Sequence, residues 1–259
     1  MEPDLADIAA LCRELGQESR EWVILGEGNV SCRATSGSIY VKASGRRMAD
    51  AAPEDFLEVP FAPLLELLEN TSAGDDEVAA TFEDWGVGDL RPSVESLLHV
   101  VCQTLGGARV VAHTHPVVVN GLLCSDQAEA LVKGSIFPDQ VVVLGPHQLL
   151  IPYADPGLVL ARVVRHMLAA HIDRFGEAPK AIYLRNHGMF ALGASVREVI
   201  NITEMACKAA KVIGGALSAG SVAYLPPNDV QRLHVREDEA QRRAELVRGT
   251  QPVTTEGLR

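Results

Sequence analysis

The chain has 259 residues, of which 47% are hydrophobic and 22% are charged. This composition is that of an ordinary globular protein, and the length is sufficient to bury a sizeable core in one domain. The formal net charge of −11 speaks against a nucleic-acid partner, which requires a basic surface, although a local cluster of donors can still bind an anionic substrate. Because no apolar run approaches about 18 residues, we expect no membrane span.

The N-terminus and the cysteines indicate the compartment. The N-terminus is acidic and lacks the apolar segment of a secretory signal. The cysteines are odd in number, scattered, and without a C-x-x-C pair, as is typical of thiols in a reducing compartment. We therefore predict a cytoplasmic protein with reduced, mostly buried thiols at Cys12, Cys32, Cys102, Cys124 and Cys207.

The first part of the chain is predicted to alternate helices with short strands. Asp4 is a suitable N-cap for the first helix and Gly16 a suitable stop. Glycines in the segment 26–33 indicate a turn. The predicted elements are a helix from Asp4 to Leu15, strands at 22–25 and 38–42, a helix at 60–69, an irregular acidic loop at 70–88, and a helix from Pro92 to Cys102.

The remaining chain continues this alternation without an internal repeat. The alternation predicts an α/β enzyme with one domain over residues 1–225, followed at 226–259 by a C-terminal helix and a polar tail. The predicted elements are an apolar strand around His113, a hairpin at 141–150, a helix at 156–175, a strand at 181–184, a long helix at 196–218, and a charged amphipathic helix at 232–247.

Two histidines lie two residues apart in the apolar run 108–119. Alternate residues of a strand share a face, so His113 and His115 project to one side about 7 Å apart along the backbone. This spacing suits two nitrogens converging on a zinc ion. They are alternatively two ordinary polar residues on a solvated strand face, but the valine-rich flanks favour a buried strand. Buried histidines need partners, so we predict a metal site.

A third ligand is needed, because a catalytic zinc usually has three protein ligands and one open position. His187 precedes a glycine and follows a short apolar segment, so we expect it at a strand end or tight turn. Several other histidines lack partners at metal spacing and are predicted to be surface or packing residues: His147, His166, His171 and His234.

Four short blocks occur in order along the chain: Gly26-Glu-Gly-Asn-Val-Ser31, Val41-Lys-Ala-Ser-Gly45, Pro92-Ser-Val-Glu-Ser-Leu-Leu-His99 with Ala112-His-Thr-His-Pro116, and Arg185-Asn-His-Gly188. Each block alone has little specificity, but four in register are specific. Together they resemble the class II aldolase/adducin family. The chain is similar to fuculose-phosphate aldolases and to the aldolase part of rhamnulose-phosphate aldolase/dehydrogenases, and would correspond to the aldolase module alone.

The resemblance implies a fold, a cofactor and an assembly. The implied fold is a single-domain, three-layer α/β/α structure with a central, mostly antiparallel sheet. The implied cofactor is a divalent metal, usually Zn²⁺, with Mn²⁺ or Co²⁺ as alternatives. The implied assembly is a homotetramer with active sites between subunits.

The resemblance also implies roles for individual residues. The metal ligands fall on His113, His115 and His187, and the catalytic carboxylate falls on Glu95. Val94 departs from the pattern, because related phosphoketose aldolases tend to carry a second serine there, and this weakens the implied phosphate site. The implied phosphate-binding donors are Gly28, Asn29, Ser44, Gly45 and Ser93.

The residues themselves leave alternatives open. From its position, Glu95 could complement a helix dipole and pair with His99 one turn later. The glycine block could cradle a phosphate, but a β-turn with glycine and asparagine at positive φ is more common. Lys42 is either solvated or faces the substrate or an interface.

The implied function is cleavage of a ketose 1-phosphate into dihydroxyacetone phosphate and an aldehyde, with a metal polarising the substrate oxygens. Other enzymes of the same site remain open: a sugar-phosphate 4-epimerase, a dehydratase, or a keto-acid aldolase or decarboxylase. Related epimerases tend to carry an aspartate where Glu95 stands. A non-enzymatic adducin-like module is disfavoured, since it would not need the complete histidine trio.

Overall fold

A computed structural model of the protein describes residues 4–34 and 37–248. Within these residues seven strands form one sheet: β1 (Asn29–Arg33), β2 (Ser38–Lys42), β3 (Phe56–Pro60), β4 (Val110–Thr114), β5 (Leu149–Ile151), β6 (Ala181–Leu184) and β7 (Gly188–Gly193). Their order across the sheet is β3-β2-β1-β4-β7-β6-β5. Neighbouring strands are antiparallel except β5 and β6, which are parallel. The predicted mostly antiparallel sheet is confirmed.

Helices cover both faces of the sheet. Helices α1, α5 and α8 pack on one face, and α2, α3, α4 and α7 pack on the other, each over its own apolar cluster. The predicted three layers are therefore present. The helices are α1 (Leu5–Leu15), α2 (Phe61–Glu69), α3 (Asp75–Glu83), α4 (Ser96–Thr104), α5 (Val117–Leu123), α6 (Pro138–Leu144), α7 (Leu158–Phe175), α8 (Val196–Ala219), α9 (Pro227–Val235) and α10 (Glu237–Arg248).

Strand β4 lies at the centre of the sheet and carries both core and functional side chains. Alternation directs Val110 and Ala112 into one apolar cluster and Val111 into the other. His113 shares the face of Val111, where it stacks on Phe190 with ring centroids 4.3 Å apart. All five residues of the strand are buried, which explains why the sequence around the histidines is apolar on both sides.

Several predicted elements are confirmed by the structure. Helix α1 begins after Asp4, whose side chain accepts a hydrogen bond from the backbone of Asp7 in a capping box. The strands at 38–42 and 181–184 occupy the predicted residues. The cysteines are free and four of the five are buried. Among the described residues, no helix is long and apolar enough to cross a membrane.

The strand predicted at 22–25 is wrong, because this segment is a loop. Ile24 and Leu25 are 64% and 78% exposed, and Leu25 has a positive φ of 51°. The backbone N–H of Ile24 donates to the side chain of Glu27 at 2.6 Å, which bends the chain locally. Apolar residues alone therefore did not make a strand here.

Four further predictions need correction. The helix predicted from Pro92 begins only at Ser96, as α4, and Pro92 instead forms a β-bridge with Ala43. The acidic loop at 70–88 contains α3, where the Glu77 carboxylate accepts the backbone N–H of Gly74. The hairpin at 141–150 is instead helix α6, ended by Gly145 at a φ of 76°, followed by β5. The helix at 232–247 is interrupted at Arg236, which is extended and separates α9 from α10. The predicted polar tail at 249–259 lies outside the described residues.

Candidate active site

Three histidines meet where β4 ends and β7 begins. Because these strands are antiparallel with Thr114 opposite Met189, the residues after β4 lie beside the turn that precedes β7. His113 lies on β4, His115 just beyond it, and His187 in the turn between β6 and β7. One nitrogen from each of the three rings lies within 4.8 Å of the others. The predicted trio is therefore brought together by the register of the sheet.

The turn that carries His187 depends on its neighbours. Asn186 has a positive φ of 55°, a conformation that asparagine tolerates better than most residues. A Cβ atom at Gly188 would lie 2.5 Å from the ring of His115, so only glycine permits this approach. The side chain of Asn120 donates to the carbonyl oxygen of His187 at 2.9 Å. These contacts hold the turn against the end of β4.

Hydrogen-bond acceptors at Nδ1 orient the rings of His113 and His115. Nδ1 of His113 lies 3.1 Å from the carbonyl oxygen of Met189, and Nδ1 of His115 lies 3.0 Å from Oε2 of Glu27. Since both partners accept hydrogen bonds, both Nδ1 atoms carry the hydrogen and both Nε2 lone pairs face inward. The two Nε2 atoms are 2.9 Å apart. Burial, together with the neighbouring ring of His113, lowers the pKa of His115 to about 4, so its ring is neutral at pH 7.

This donor set fits a divalent metal ion. Inward-facing imidazole nitrogens of three histidines are a known catalytic zinc ligand set, and the remaining position is left for a substrate or water. Imidazole also binds other first-row metals. Within residues 4–34 and 37–248, the three histidines are the one group of at least three His, Cys, Asp or Glu side chains with metal-binding spacing.

Glu95 is the carboxylate beside the three histidines. It occupies the N-cap position of α4, but its side chain makes no capping hydrogen bond. Instead, Oε1 lies 3.2 Å from Nε2 of His113 and 3.2 Å from Nε2 of His187. Burial raises the pKa of Glu95, but the neighbouring rings of His113 and His187 and the hydrogen bond from Asn29 outweigh it and leave the pKa below its ordinary value. The helix-dipole alternative therefore does not describe the contacts of this side chain.

Gly28 and Asn29 lie behind this carboxylate. Asn29 begins β1 opposite His113 and is only 3% exposed. Its amide nitrogen donates to Oε2 of Glu95 at 2.6 Å, and its Oδ1 accepts from Nε2 of His99. Gly28 has a φ of 72°, and a Cβ there would lie 3.0 Å from the carbonyl oxygen of His113. Both residues thus pack against the histidine cluster, and their expected phosphate contacts stay predictions.

The other predicted phosphate donors share an exposed region. The backbone N–H of Ser44 donates to the carbonyl oxygen of Arg91 at 2.8 Å, which joins the turn after β2 to the segment before α4. Gly45 has a φ of 74° and open space around it. The hydroxyl of Ser93 accepts the backbone N–H of Glu95 at 3.3 Å. We call residues 43–47 the phosphate turn, after the phosphate contacts predicted for Ser44 and Gly45.

Lys42 lies beneath the phosphate turn and is 1% exposed. Its ammonium donates to the carbonyl oxygens of Ala43 at 2.9 Å and Arg46 at 2.6 Å. Burial lowers the pKa of this lysine. The solvated lysine considered from the sequence is therefore wrong. Within the turn, the side chains of Arg46 and Arg47 are each 53% exposed and pair with Asp55 and Glu18, respectively.

Two contacts of the site were not predicted from the sequence. Glu27 orients His115, and Asn29 joins Glu95 to His99. Both residues lie in the block Gly26-Glu-Gly-Asn-Val-Ser31, for which the resemblance implies only phosphate contacts at Gly28 and Asn29. Other histidines behave as predicted packing residues; His147, for example, stacks on an aromatic ring with centroids 3.9 Å apart.

Comparisons with known proteins show the family and the fold of the chain. The chain is 28% identical over 200 residues to methylthioribulose-1-phosphate dehydratase of Acidiphilium cryptum, covering 73% of this chain and 82% of the relative. It is 26% identical over 202 residues to the enzyme of the same name from Bacillus subtilis, covering 76% and 86%. In fold it is similar to L-fuculose-1-phosphate aldolase from Thermus thermophilus, with a TM-score of 0.58 at 21% identity over 85% of this chain and 99% of that one. Residues 6–213 match the family described as class II aldolase and adducin N-terminal domain, and the chain therefore belongs to this family.

Proposed function

We propose that the chain is a metal-dependent lyase that cleaves a ketose 1-phosphate into dihydroxyacetone phosphate and an aldehyde. The observation that carries this proposal is the position of Glu95. Its Oε1 lies 3.2 Å from ring nitrogens of two of the three histidines, so a proton carrier stands directly beside the donors that would hold the metal. A positioned carboxylate of this kind is a typical general acid–base group.

His113, His115 and His187 would hold the metal, with Zn²⁺ as the first candidate and Mn²⁺ or Co²⁺ as alternatives. When bound, such an ion supplies Lewis-acid polarisation of a substrate carbonyl. The chain itself contributes the orientation of the ligands. Glu27 and the backbone of Met189 hold the Nδ1 hydrogens of two rings, which keeps the Nε2 lone pairs directed inward.

Glu95 would deliver the proton that completes aldol cleavage. Glu95 would first accept the proton of the C4 hydroxyl of the ketose, after which the C3–C4 bond breaks and the aldehyde leaves. The electron pair of that bond stays on C3 of the dihydroxyacetone phosphate enediolate. Glu95 then transfers one proton to C3, and the reverse transfer starts aldol addition.

The phosphate turn would bind the phosphate of the substrate. Ser44 and Gly45 offer a hydroxyl and open main chain, and Ser93 adds a second hydroxyl on the adjoining segment. Successive main-chain and hydroxyl donors form an anion-binding concavity. The buried ammonium of Lys42 and the guanidinium groups of Arg46 and Arg47, which also pair with nearby carboxylates, would provide positive charge.

Dehydration of a ketose 1-phosphate is the second candidate reaction. Two dehydratases that act on methylthioribulose 1-phosphate share 28% and 26% identity with the chain, and Val94 removes a hydroxyl expected of phosphoketose aldolases. In this reaction Glu95 would take the C3 proton while hydroxide leaves C4 and is protonated to water. The resulting enol then converts to the diketone.

One panel of substrates separates the two reactions. The metal-loaded protein would be incubated with several 1-phosphorylated ketoses, including methylthioribulose 1-phosphate. Aldol cleavage releases dihydroxyacetone phosphate, measured through a coupled NADH assay, whereas dehydration yields a product one water lighter by mass spectrometry. Absence of both products with every ketose would contradict the proposed function.

We also propose the assembly and the organisation of the chain. The protein is a cytoplasmic homotetramer that acts on a small phosphorylated sugar without a nucleic-acid or membrane partner. Residues 1–225 form the catalytic domain, and the C-terminal helices follow it. Light scattering tests the assembly: a mass of one chain rather than about four would contradict it.

A further inference from the structure

We infer that His99 and Asn29 are positioning residues that fix the orientation of the Glu95 carboxylate through a buried hydrogen-bond chain. This hydrogen-bond chain runs from Gln103 through Ser31, His99 and Asn29 to Glu95. The inference rests on the proposed role of Glu95 as the proton carrier. It assigns a task to His99, for which the sequence indicates only a position one helical turn beyond that glutamate.

The hydrogen-bond chain consists of consecutive side-chain contacts between α4 and β1. Nε2 of Gln103 donates to Oγ of Ser31 at 2.8 Å, and the same Oγ lies 2.7 Å from Nδ1 of His99. Nε2 of His99 contacts Oδ1 of Asn29, and Nδ2 of Asn29 lies 2.6 Å from Oε2 of Glu95. The side chains from Gln103 to Asn29 are all buried.

The donor and acceptor of every hydrogen bond in this series follow from the last bond, which Glu95 accepts. An ionised carboxylate only accepts, so Asn29 presents its amide nitrogen to Glu95 and its Oδ1 to His99. An amide oxygen also only accepts, so the hydrogen of the imidazole lies on Nε2. Burial, with the nearby ring of His113 second, lowers the pKa of His99 to about 3, and the ring is therefore neutral at pH 7.

The two remaining hydrogen bonds, from Ser31 to His99 and from Gln103 to Ser31, have the same direction. Because Nδ1 of the neutral His99 ring carries no hydrogen, it accepts from the hydroxyl of Ser31. The oxygen of Ser31 in turn accepts from Gln103. Every donor along the chain thus points toward Glu95, and reversal of any one group would bring two acceptors or two donors face to face at a buried site, which costs free energy.

This arrangement divides the two oxygens of the carboxylate between two tasks. Asn29 holds Oε2, while Oε1 faces His113 and His187. The hydrogen-bond chain thus fixes the rotation of the Glu95 carboxylate and leaves Oε1 for the reaction. No proton moves along the chain. Positioning of this kind supports a catalytic group because a fixed orientation need not be re-established in each turnover.

His99 also has a packing role, which the experiment must separate from the positioning role. Its ring lies edge-on to Phe190 with centroids 5.4 Å apart, and Phe190 stacks on His113. Packing alone requires an aromatic ring at this position but no nitrogen atoms. His99→Phe therefore removes the hydrogen bonds while keeping a ring against Phe190.

The kinetic test compares matched variants of the metal-loaded protein. For His99→Phe we expect kcat to fall about 10–100-fold, the range seen when outer partners of a site are removed, while KM and metal content stay near wild type. His99→Gln should recover part of kcat, because its amide can still donate to Asn29. His171→Phe is the control, since His171 is a buried histidine that packs on Phe175 outside the chain. Unchanged kcat in His99→Phe would overturn the inference.

A second measurement does not depend on activity. Neutron diffraction from deuterated crystals of the full chain should show deuterium on Nε2 of His99 and none on Nδ1. Deuterium on Nδ1 would overturn the inference even if His99→Phe proved too unstable to assay. If the wild type converts no phosphorylated ketose, the proposed function fails. The neutron result still decides the direction of the hydrogen bonds between Gln103 and Glu95.

Discussion

The histidine cluster and the phosphate turn adjoin each other, yet they are built in opposite ways. In the cluster, His113, His115 and Glu95 each have a fixed partner behind the atom that faces the site. In the phosphate turn, the residues from Ser44 to Arg47 are exposed, and nothing lies within 4 Å of the Cβ position of Gly45. The side chains of the histidine cluster are therefore held in place before substrate binds, whereas the phosphate turn is open to solvent.

The roles proposed for the two halves would account for the difference. Metal ligation and proton transfer depend on the direction of single lone pairs and hydrogens, so the orientation must be supplied by the protein. A phosphate group carries several acceptor oxygens and more than one negative charge, so an open turn of donors with cationic neighbours is sufficient. We therefore expect changes in the cluster to affect metal binding and kcat, and changes in the turn to affect KM.

The largest effect is expected from loss of a metal ligand. His115→Ala should reduce metal content from about one ion per chain to near zero, because two imidazoles bind a divalent ion much more weakly than three. Turnover should fall to background, while circular dichroism shows a retained fold. Elemental analysis after gentle purification measures the metal. His166→Ala, on the exposed face of α7, is the control, and full metal content in His115→Ala would refute the assigned ligand set.

The next effect is expected from the proton carrier. Glu95→Gln should lower turnover about 10²–10⁴-fold, as is typical for a general acid–base group, with metal content unchanged. The wild type should exchange a hydrogen at C3 of dihydroxyacetone phosphate with deuterated water in the absence of aldehyde, and the variant should not.

A structural role for Glu95 predicts the opposite result. If this carboxylate only complements the helix dipole, the variant should lose less than about 1 kcal/mol of stability and keep its turnover. Exchange at the wild-type rate in Glu95→Gln would show that another group carries the proton. Glu83→Gln, an exposed change on α3, is the control.

A smaller effect is expected from the partner of His115. Glu27→Ala removes the acceptor of the Nδ1 hydrogen, so metal affinity should fall about 10–100-fold, as for other outer partners of ligating histidines. Competition with a chelator measures the affinity, and excess metal should restore activity. Glu27→Gln retains an acceptor oxygen and should remain closer to wild type. Equal affinities for all three proteins would show that this contact does not orient the ligand.

The smallest effect is expected in the phosphate turn. Ser44→Ala should raise KM about tenfold without changing kcat, because one hydrogen bond to a charged group contributes about 1.5 kcal/mol. Steady-state kinetics with a 1-phosphorylated ketose measure both constants. The same ketose without its phosphate is the control, and wild type and variant should not differ with it. A fall in kcat at constant KM would show that the turn belongs to the organised half of the site.

The sequence determined the features that depend on near neighbours along the chain. Alternation placed His113 and His115 on one face, and a following glycine placed His187 at a turn. Capping chemistry at Asp4 located the first helix. Four ordered blocks indicated the family that the profile match confirms. These signals are local, so they are present in the order of the residues before any folding takes place.

The tertiary structure decided the partners and environments that come from distant parts of the chain. Asn29 reaches Glu95 across 66 residues and His99 across 70, because β1 pairs with β4 while α4 packs over the same face. Lys42 is buried because the turn that follows it folds back over its ammonium. Hydrogen-bond direction and burial at these positions depend on sheet register and helix packing, which no pattern within a single segment contains.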